Sequence, residues 1–481
     1  MTIEVSQVSL HILNVHTRMP FKYGIATMTA MPHCFVRVVC QIDERESIGV
    51  AADSLAPKWF TKDPNSKYED DIADMLSVIN KAGCWAKSAG PQKDVFTLWQ
   101  HIYTQQKNWA KGEGHPPLLW NFGVSLIERA LIDAFCRGSG VGFETAVRQN
   151  TLGIVLEQIH PELIGKTPSD LLNEKALRKI AARHTIGLAD PLTDAEIPAE
   201  ERLDDGLPQS FASVLLHYGV NYLKIKIQGD VEKDLKRLKS IAKIVAKTGI
   251  EDYQFTLDGN EQYHDLADFR KLWEAIAADK ELKPFMAHLI FVEQPIHRSA
   301  ALNDETAQAM QSWQDAPPTI IDESDADLTT LRRALGCGYV GTSHKNCKGV
   351  IKGLANACYL NYLKKQHPEK TFVLSGEDLS NIGPVALLQD LAVMATMGID
   401  HVERNGHHYF RGLSMLPEDL QQQVLKNHHD LYRDTHGYPA LDIQDGEITI
   451  ESVVDAPFGY GFQFDPTQFV PHTSWNFESL H

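Results

Sequence analysis

Tyr222-Leu-Lys-Ile-Lys-Ile227, Gln254-Phe-Thr-Leu-Asp258, Leu289-Ile-Phe-Val-Glu293 and Thr319-Ile-Ile-Asp322 are four short apolar runs in one stretch of the chain, and three of them end in a carboxylate. Each is followed by a helical pattern, and the unit recurs roughly every 30 residues, the length of a strand, a helix and two loops. Further runs at Tyr339-Val-Gly-Thr342, Phe372-Val-Leu374 and Gly398-Ile-Asp-His-Val402 continue the series. Repeated βα units with right-handed crossovers make a parallel sheet, and seven or eight of them close into a barrel. A doubly wound open sheet has the same spacing and is the alternative.

In a barrel, successive strand ends lie side by side at the C-terminal mouth, where active sites form. Asp258, Glu293 and Asp322 would then crowd together, and three carboxylates a few Å apart cannot all stay ionised without a compensating cation. A hard divalent ion answers that need. Oxygen-only ligation favours Mg²⁺, with Mn²⁺ also suitable, whereas Zn²⁺ prefers nitrogen or sulfur. A strand-end carboxylate is often only a helix N-cap, but three at consecutive strand ends point to a metal.

One unit earlier, Lys224 and Lys226 sit at i and i+2, so both ammonium groups project from the same face of the strand. Adjacent ammonium groups depress each other's pKa, which lets one act as a neutral base. Lys345 lies one unit beyond Asp322, across the mouth from Lys226. Two such lysines could take an α-proton from one face of a metal-bound carboxylate and return one to the other, with the metal stabilising the enediolate.

Outward from this core the texture changes. Residues 2 to 42 alternate like an antiparallel sheet, and residues 68 to 150 are helical, most clearly at Ser125 to Phe135. Asp190 to Gly206 is expected to be a long exposed loop. Beyond 415, a helix from Glu418 to Tyr432 precedes two strands joined by a turn at Asp445-Gly446.

Together the lysine pair and the carboxylate series resemble the enolase superfamily and, within it, the mandelate racemase and muconate lactonizing enzyme group, over nearly the whole chain. The resemblance implies an α/β fold: a modified (β/α)7β barrel at 179–415, an α+β capping domain at 1–178, and a C-terminal segment, 416–481, returning to the cap. It makes Asp258, Glu293 and Asp322 the metal ligands and Lys226 and Lys345 the acid/base groups. Lys224 would neutralise the substrate carboxylate or tune Lys226. Pro20 to Ile25, with Tyr23, resembles the cap loop that closes over substrate, and Asp53 to Phe60, with Lys58 and Trp59, the second such loop.

Departures bear on the substrate. The group carries a lysine five residues before a Gly-Gly pair, and here the segment reads Thr342-Ser-His-Lys-Asn-Cys-Lys-Gly349. Counting back five residues gives His344, and a one-residue deletion gives Lys345, so both stay open as the second base, with Lys348 as a further candidate. The next unit has no histidine. Glu377 or Asp378 would bind substrate or polarise a neighbour, and His401 with the Asn405 to Arg411 loop is expected at the mouth. Segments 60–118 and 150–210 are additional to common members of the group. The implied activity is a racemase, epimerase or cycloisomerase acting α to the carboxylate of a small acid. The alternative is an acid-sugar dehydratase, with Lys345, His344 or His401 expelling hydroxide to leave a 2-keto-3-deoxy acid.

Composition narrows the partners. The 481 residues carry 46 basic and 63 acidic side chains, a formal charge of −17 that opposes DNA and anionic membranes. No apolar run approaches the roughly 18 residues of a membrane span, and the opening residues lack a signal-peptide pattern. The seven cysteines form no CxxC pair, which fits a reduced, cytoplasmic setting. Gly336 to Gly341 matches GxGxxG but does not join a strand to a helix, and GxxxxGK[ST], HExxH and GxSxG are absent. The expected partner is a small carboxylate, and the resemblance implies a homo-oligomer.

Overall fold

A computed structural model describes residues 2–23 and 26–480, the side chains of residues 23 and 26 excepted. The chain opens with β1 (Ile3–Tyr23), β2 (Ala26–Ile42) and β3 (Arg45–Ser54), an antiparallel sheet whose register places Leu10 opposite Val36. The alternation of the sequence gives this sheet one apolar face, with Leu10, Ile12, Val36, Val38 and Val50 all buried. Of the four helices that follow, α2 (Tyr68–Ser88) and α4 (Pro117–Ser139) pack on the sheet, and α1 (Pro57–Phe60) and α3 (Val95–Glu113) pack on those two. Nearly every residue of α4 is buried, because it lies between the sheet and the rest of the molecule. Its approach to β3 is so close that a Cβ at Gly49 would fall 2.1 Å from the Ala130 carbonyl oxygen.

The barrel is eight parallel strands: β4 (Lys179–Ile186), β5 (Tyr222–Lys226), β6 (Gln254–Asp258), β7 (Leu289–Glu293), β8 (Thr319–Ile321), β9 (Gly341–His344), β10 (Val373–Gly376) and β11 (His401–Arg404). Each pairs with the next, and β11 pairs with β4, so the sheet is closed and the open-sheet alternative falls. β5 and β9 are four strands apart in the ring and face one another across its mouth.

Strand limits differ from the sequence reading where a left-handed glycine ends the preceding helix. Gly398 has φ 77° and Gly338 has φ 105°, so β11 starts at His401 and β9 at Gly341, later than the apolar runs suggest. The tail divides between the two halves of the molecule. Asp445 and Gly446 both have positive φ and form the expected tight turn, but Glu447–Thr449 then pairs with β4 of the barrel, while Val470–Pro471 pairs with β1 of the cap. The helix expected to run to Tyr432 ends at Asn427. Among the described residues no helix is long and apolar enough to cross a membrane.

Candidate active site

The ends of β5 to β11 converge under the cap on one pocket of about 630 Å³, its open mouth included. Lys224 lies at the centre of its floor. Its Nζ stands 3.0 Å from Asp258 Oδ2, 2.7 Å from Glu293 Oε2, 2.6 Å from Glu377 Oε2 and 2.9 Å from Glu403 Oε2, and its side chain is 2% exposed. Burial alone would lower this lysine's pKa, but the four carboxylates outweigh it and hold the pKa well above the ordinary value. The expected mutual depression within the Lys-x-Lys pair is therefore overridden at Lys224. Its neighbour Lys226 is 12% exposed, faces the pocket and donates to Asp258 Oδ2 at 2.5 Å.

Opposite, Lys345 donates to Asp322 Oδ2 at 2.6 Å and lies 3.9 Å from Glu293 Oε1. Burial acts against its charge, and Asp322 and Glu293 more than compensate, raising its pKa. The Trp59 ring stands over it, with the ring centroid 5.0 Å from Nζ. Lys348 donates to the other Asp322 oxygen at 3.2 Å and to the Ser343 carbonyl. Burial would raise the Asp322 carboxyl, and Lys345 with Lys348 instead hold it far below its usual range.

Asp258, Glu293 and Asp322 thus occupy adjacent strand ends, and they fit a hard divalent ion in donor type. Glu293 is fully buried, with Lys224 Nζ 2.7 Å from Oε2 and Lys345 Nζ 3.9 Å from Oε1, and burial together with Asp258 and Glu377 pushes its carboxyl pKa well up. Among the described residues no three such groups close on one point, because ammonium groups stand between them. Lys224 bridges Asp258 and Glu293, and Lys345 bridges Glu293 and Asp322.

Other residues singled out by sequence are placed differently. His344 points out of the barrel: its Nε2 is 3.0 Å from Asn346 Oδ1, and a Cβ on Gly353 of the helix Val350–Gln366 would meet its Nδ1 at 2.2 Å. His401 begins its strand instead of ending it, so it sits at the far end of the barrel, 2.7 Å from an Arg183 nitrogen and stacked on Tyr222. Glu377 lies beneath the floor, held by Arg183, Ser375 and Lys224, and it is Asp378 that lines the pocket. Lys58 lines the pocket, but its ammonium is consumed within the cap by Ser66, the Asp63 carbonyl and Asp71 at 2.7 Å. Trp59 lines the pocket as expected of that loop. The Tyr23 side chain lies outside the described residues; Phe21 and Met28 of the same hairpin reach the pocket.

Sequence reasoning missed the pocket residues Lys62, Asn260, Glu261, Arg298 and Glu403, and Arg183 beneath the floor. Glu403 accepts from Lys224, from Thr185 at 2.6 Å and from Asn405 at 3.1 Å. Burial would raise its carboxyl, and Lys224 overrides that, keeping it well below the usual range. Arg183 rises from the first strand to meet Glu377. The i, i+2 alternation of His401-Val-Glu403 is the signal that would have found Glu403, had the strand been started at the right residue.

Solved structures of the same architecture span almost the whole chain. A muconate lactonizing enzyme from Pseudomonas fluorescens, solved with muconolactone, has a TM-score of 0.60 at 15% identity, covering 98% of this chain and 99% of its own. A mandelate racemase/muconate lactonizing protein from Herpetosiphon aurantiacus has a TM-score of 0.59 at 16% identity, covering 96% and 99%. An N-succinyl Arg/Lys racemase from Bacillus cereus has a TM-score of 0.55 at 15% identity, covering 94% and 97%. No protein-family model and no curated protein matches the sequence.

Proposed function

We propose that this chain, which has the capped-barrel fold of the mandelate racemase and muconate lactonizing enzyme group, is an isomerase that removes the proton α to the carboxylate of a small acid. One observation carries the reading: Lys226 and Lys345 stand on opposite strand ends, across a pocket lined by Asp258 and Asp322, with Glu293 buried on the strand between them. Lys226, as the neutral amine, takes the α-proton from its own face, because Asp322 and Glu293 hold Lys345 as the ammonium. Lys345 returns a proton to the same carbon from the opposite face, which inverts the centre. Return by Lys226 restores it.

Asp258, Glu293 and Asp322 would hold Mg²⁺, or Mn²⁺ in its place, and the ion would neutralise the charge that gathers on the substrate carboxylate as its α-proton leaves. Lys224 assists from below, and Trp59 with Phe21 excludes water from above. The dehydratase alternative depended in part on His344 or His401 as the acid that expels hydroxide, and neither faces the pocket.

The test is proton NMR in D₂O with Mg²⁺ and a panel of acid sugars, amino-acid derivatives and dipeptides. Exchange of the α-proton with the skeleton retained is the expected result, and Lys226→Met should slow it about 10²- to 10⁴-fold, the range of a positioned general base. Formation of a 2-keto-3-deoxy acid would replace the isomerase reading with the dehydratase, and no exchange with any acid of the panel would count against both.

A further inference from the structure

The cap loop that carries Trp59 is fastened to the barrel by a residue with no part in the proton chemistry. Arg298 follows β7. Its Nη1 donates to the Phe60 carbonyl at 2.9 Å and its Nη2 to the Trp59 carbonyl at 2.9 Å, while Nε and Nη2 grip Glu261 at 2.8 and 2.7 Å. Glu261 lies three residues past Asp258 and also accepts from the Arg298 backbone N–H at 2.7 Å. Lys62, at the end of the loop, closes the arrangement by donating to Glu261 Oε2 at 3.0 Å and to the Asn260 carbonyl at 2.6 Å. A guanidinium is the one side chain whose planar fork can hold a carboxylate and two carbonyls together.

Backbone geometry points to the same place. Lys62, Asn260, Glu261 and Gln294 all have positive φ without being glycine, at 52°, 38°, 64° and 34°. Such conformations persist only where surrounding contacts over-determine them, and they cluster at functional sites. The other end of the loop is tied separately, by Arg129, which donates to Asp53 Oδ2 at 2.8 Å and to the Ala52 carbonyl at 2.9 Å. The Arg298 end is the one that ties the Trp59 backbone to the barrel among the described residues.

We propose that Arg298, clasped by Glu261 and Lys62, is a positioning residue that holds the Trp59 ring over Lys345 and so sets how tightly the pocket closes on its substrate. The proposal deepens the isomerase reading and rests on it for the kinetic consequence. Arg298 lines the edge of the pocket, and its hydrogen bonds go to the loop backbone and Glu261 instead of to Lys226 or Lys345, so its loss should weaken substrate binding more than proton transfer. A misplacement of about 1 Å at such a site costs up to about 10²-fold in rate.

Two measurements on the full chain test this. Hydrogen exchange of residues 56 to 62 needs no substrate: in Arg298→Met the amides of Trp59 and Thr61 should exchange at least about tenfold faster, with those of β6 and β7 unchanged. With whichever acid of the NMR panel is exchanged by the parent chain, Arg298→Met should raise KM about tenfold and change kcat less. Trp59→Ala should show the same split, and the double variant should be no worse than either single one. If Arg298→Met does not fold, Arg298→Lys keeps the charge, cannot span all three acceptors, and should move both readouts in the same direction. Unchanged loop exchange would overturn the clasp, and faster loop exchange with unaltered kinetics would overturn the positioning role. If the parent chain acts on no acid of the panel, the isomerase reading fails while the exchange of Trp59 and Thr61 still decides the clasp.

Discussion

Lys224 shows how far a residue's charge state is a property of its surroundings. From sequence it is half of a lysine pair, and in the fold it is the shared counter-ion of four carboxylates. Removing one partner of a buried ionic cluster typically costs about 3–5 kcal/mol, because the remaining charges are left uncompensated. Lys224→Met should therefore lower stability in denaturant titrations by about that amount without metal. If the ammonium holds the place of a divalent ion, Mg²⁺ should stabilise Lys224→Met more than the parent chain, since it no longer competes with the lysine. At a hundredfold excess over its dissociation constant, an ion binding only the folded state adds about 2.7 kcal/mol. Equal or smaller stabilisation of the variant would refute the substitution of one cation for the other. At the same scale, alternation sends His344, the last residue of β9, and Lys345, the next one, to opposite sides, so that Lys345 lines the pocket and His344 does not.

At the scale of the element, α4 links the cap to the catalytic machinery. Glu128 accepts from the Ile351 N–H at 2.6 Å and the Val350 N–H at 3.1 Å, the first amides of the helix Val350–Gln366, and Asn121 donates to the Lys348 carbonyl at 2.9 Å. A cap helix thus holds the turn that presents Lys345 and Lys348. Burial raises the Glu128 carboxyl to about 7, with the two amides partly offsetting the rise. A carboxyl whose folded pKa lies above its unfolded one favours the folded state most below the unfolded value, and that contribution is lost as the pH rises through the folded value. Between about pH 4.5 and 7, Glu128 should cost the parent chain about 3 kcal/mol that Glu128→Gln does not lose. The melting temperature of Glu128→Gln relative to the parent should climb across that window, and a flat difference would show that Glu128 ionises normally. β11 teaches a related lesson. Gly398-Ile-Asp-His-Val402 reads as a strand from its first residue, but the left-handed Gly398 closes the preceding helix, and the shift carries His401 to the bottom and Glu403 to the mouth. The first strand, Lys179–Ile186, was not recognised run by run, since its Lys179, Arg183 and His184 interrupt the apolar pattern that marked the others.

Over the whole molecule, the chain begins in the cap, builds the barrel and returns to both. Phe469 stacks on Phe35 of β2 with ring centroids 4.9 Å apart, Trp475 donates to Asn14 of β1 at 2.9 Å, and the Tyr460 hydroxyl donates to Asp133 of α4 at 2.6 Å. Deleting residues 465–481 removes a buried aromatic from the cap sheet, and the loss of one such side chain costs about 3–5 kcal/mol. Because α4 and the tail bind cap and barrel together, the truncated chain should melt earlier in one transition, with far- and near-ultraviolet circular dichroism coinciding. Two separated transitions would show that the halves fold independently.

The sequence by itself determined the barrel, the strand-end carboxylates and the lysine pair, because each depends on local spacing: a period of two along a strand and a repeat of one βα unit. Tertiary structure alone decided which residues share the pocket. It placed Glu403 and Arg183 beside Lys224, turned His344 outward, spent Lys58 within the cap, and brought Arg298 to the carbonyls of a loop more than two hundred residues away in the chain. Those outcomes depend on which strands adjoin in a closed ring, on where a helix ends, and on how charges far apart in sequence compensate one another once water has been removed, and none of these is written in the spacing of neighbouring residues.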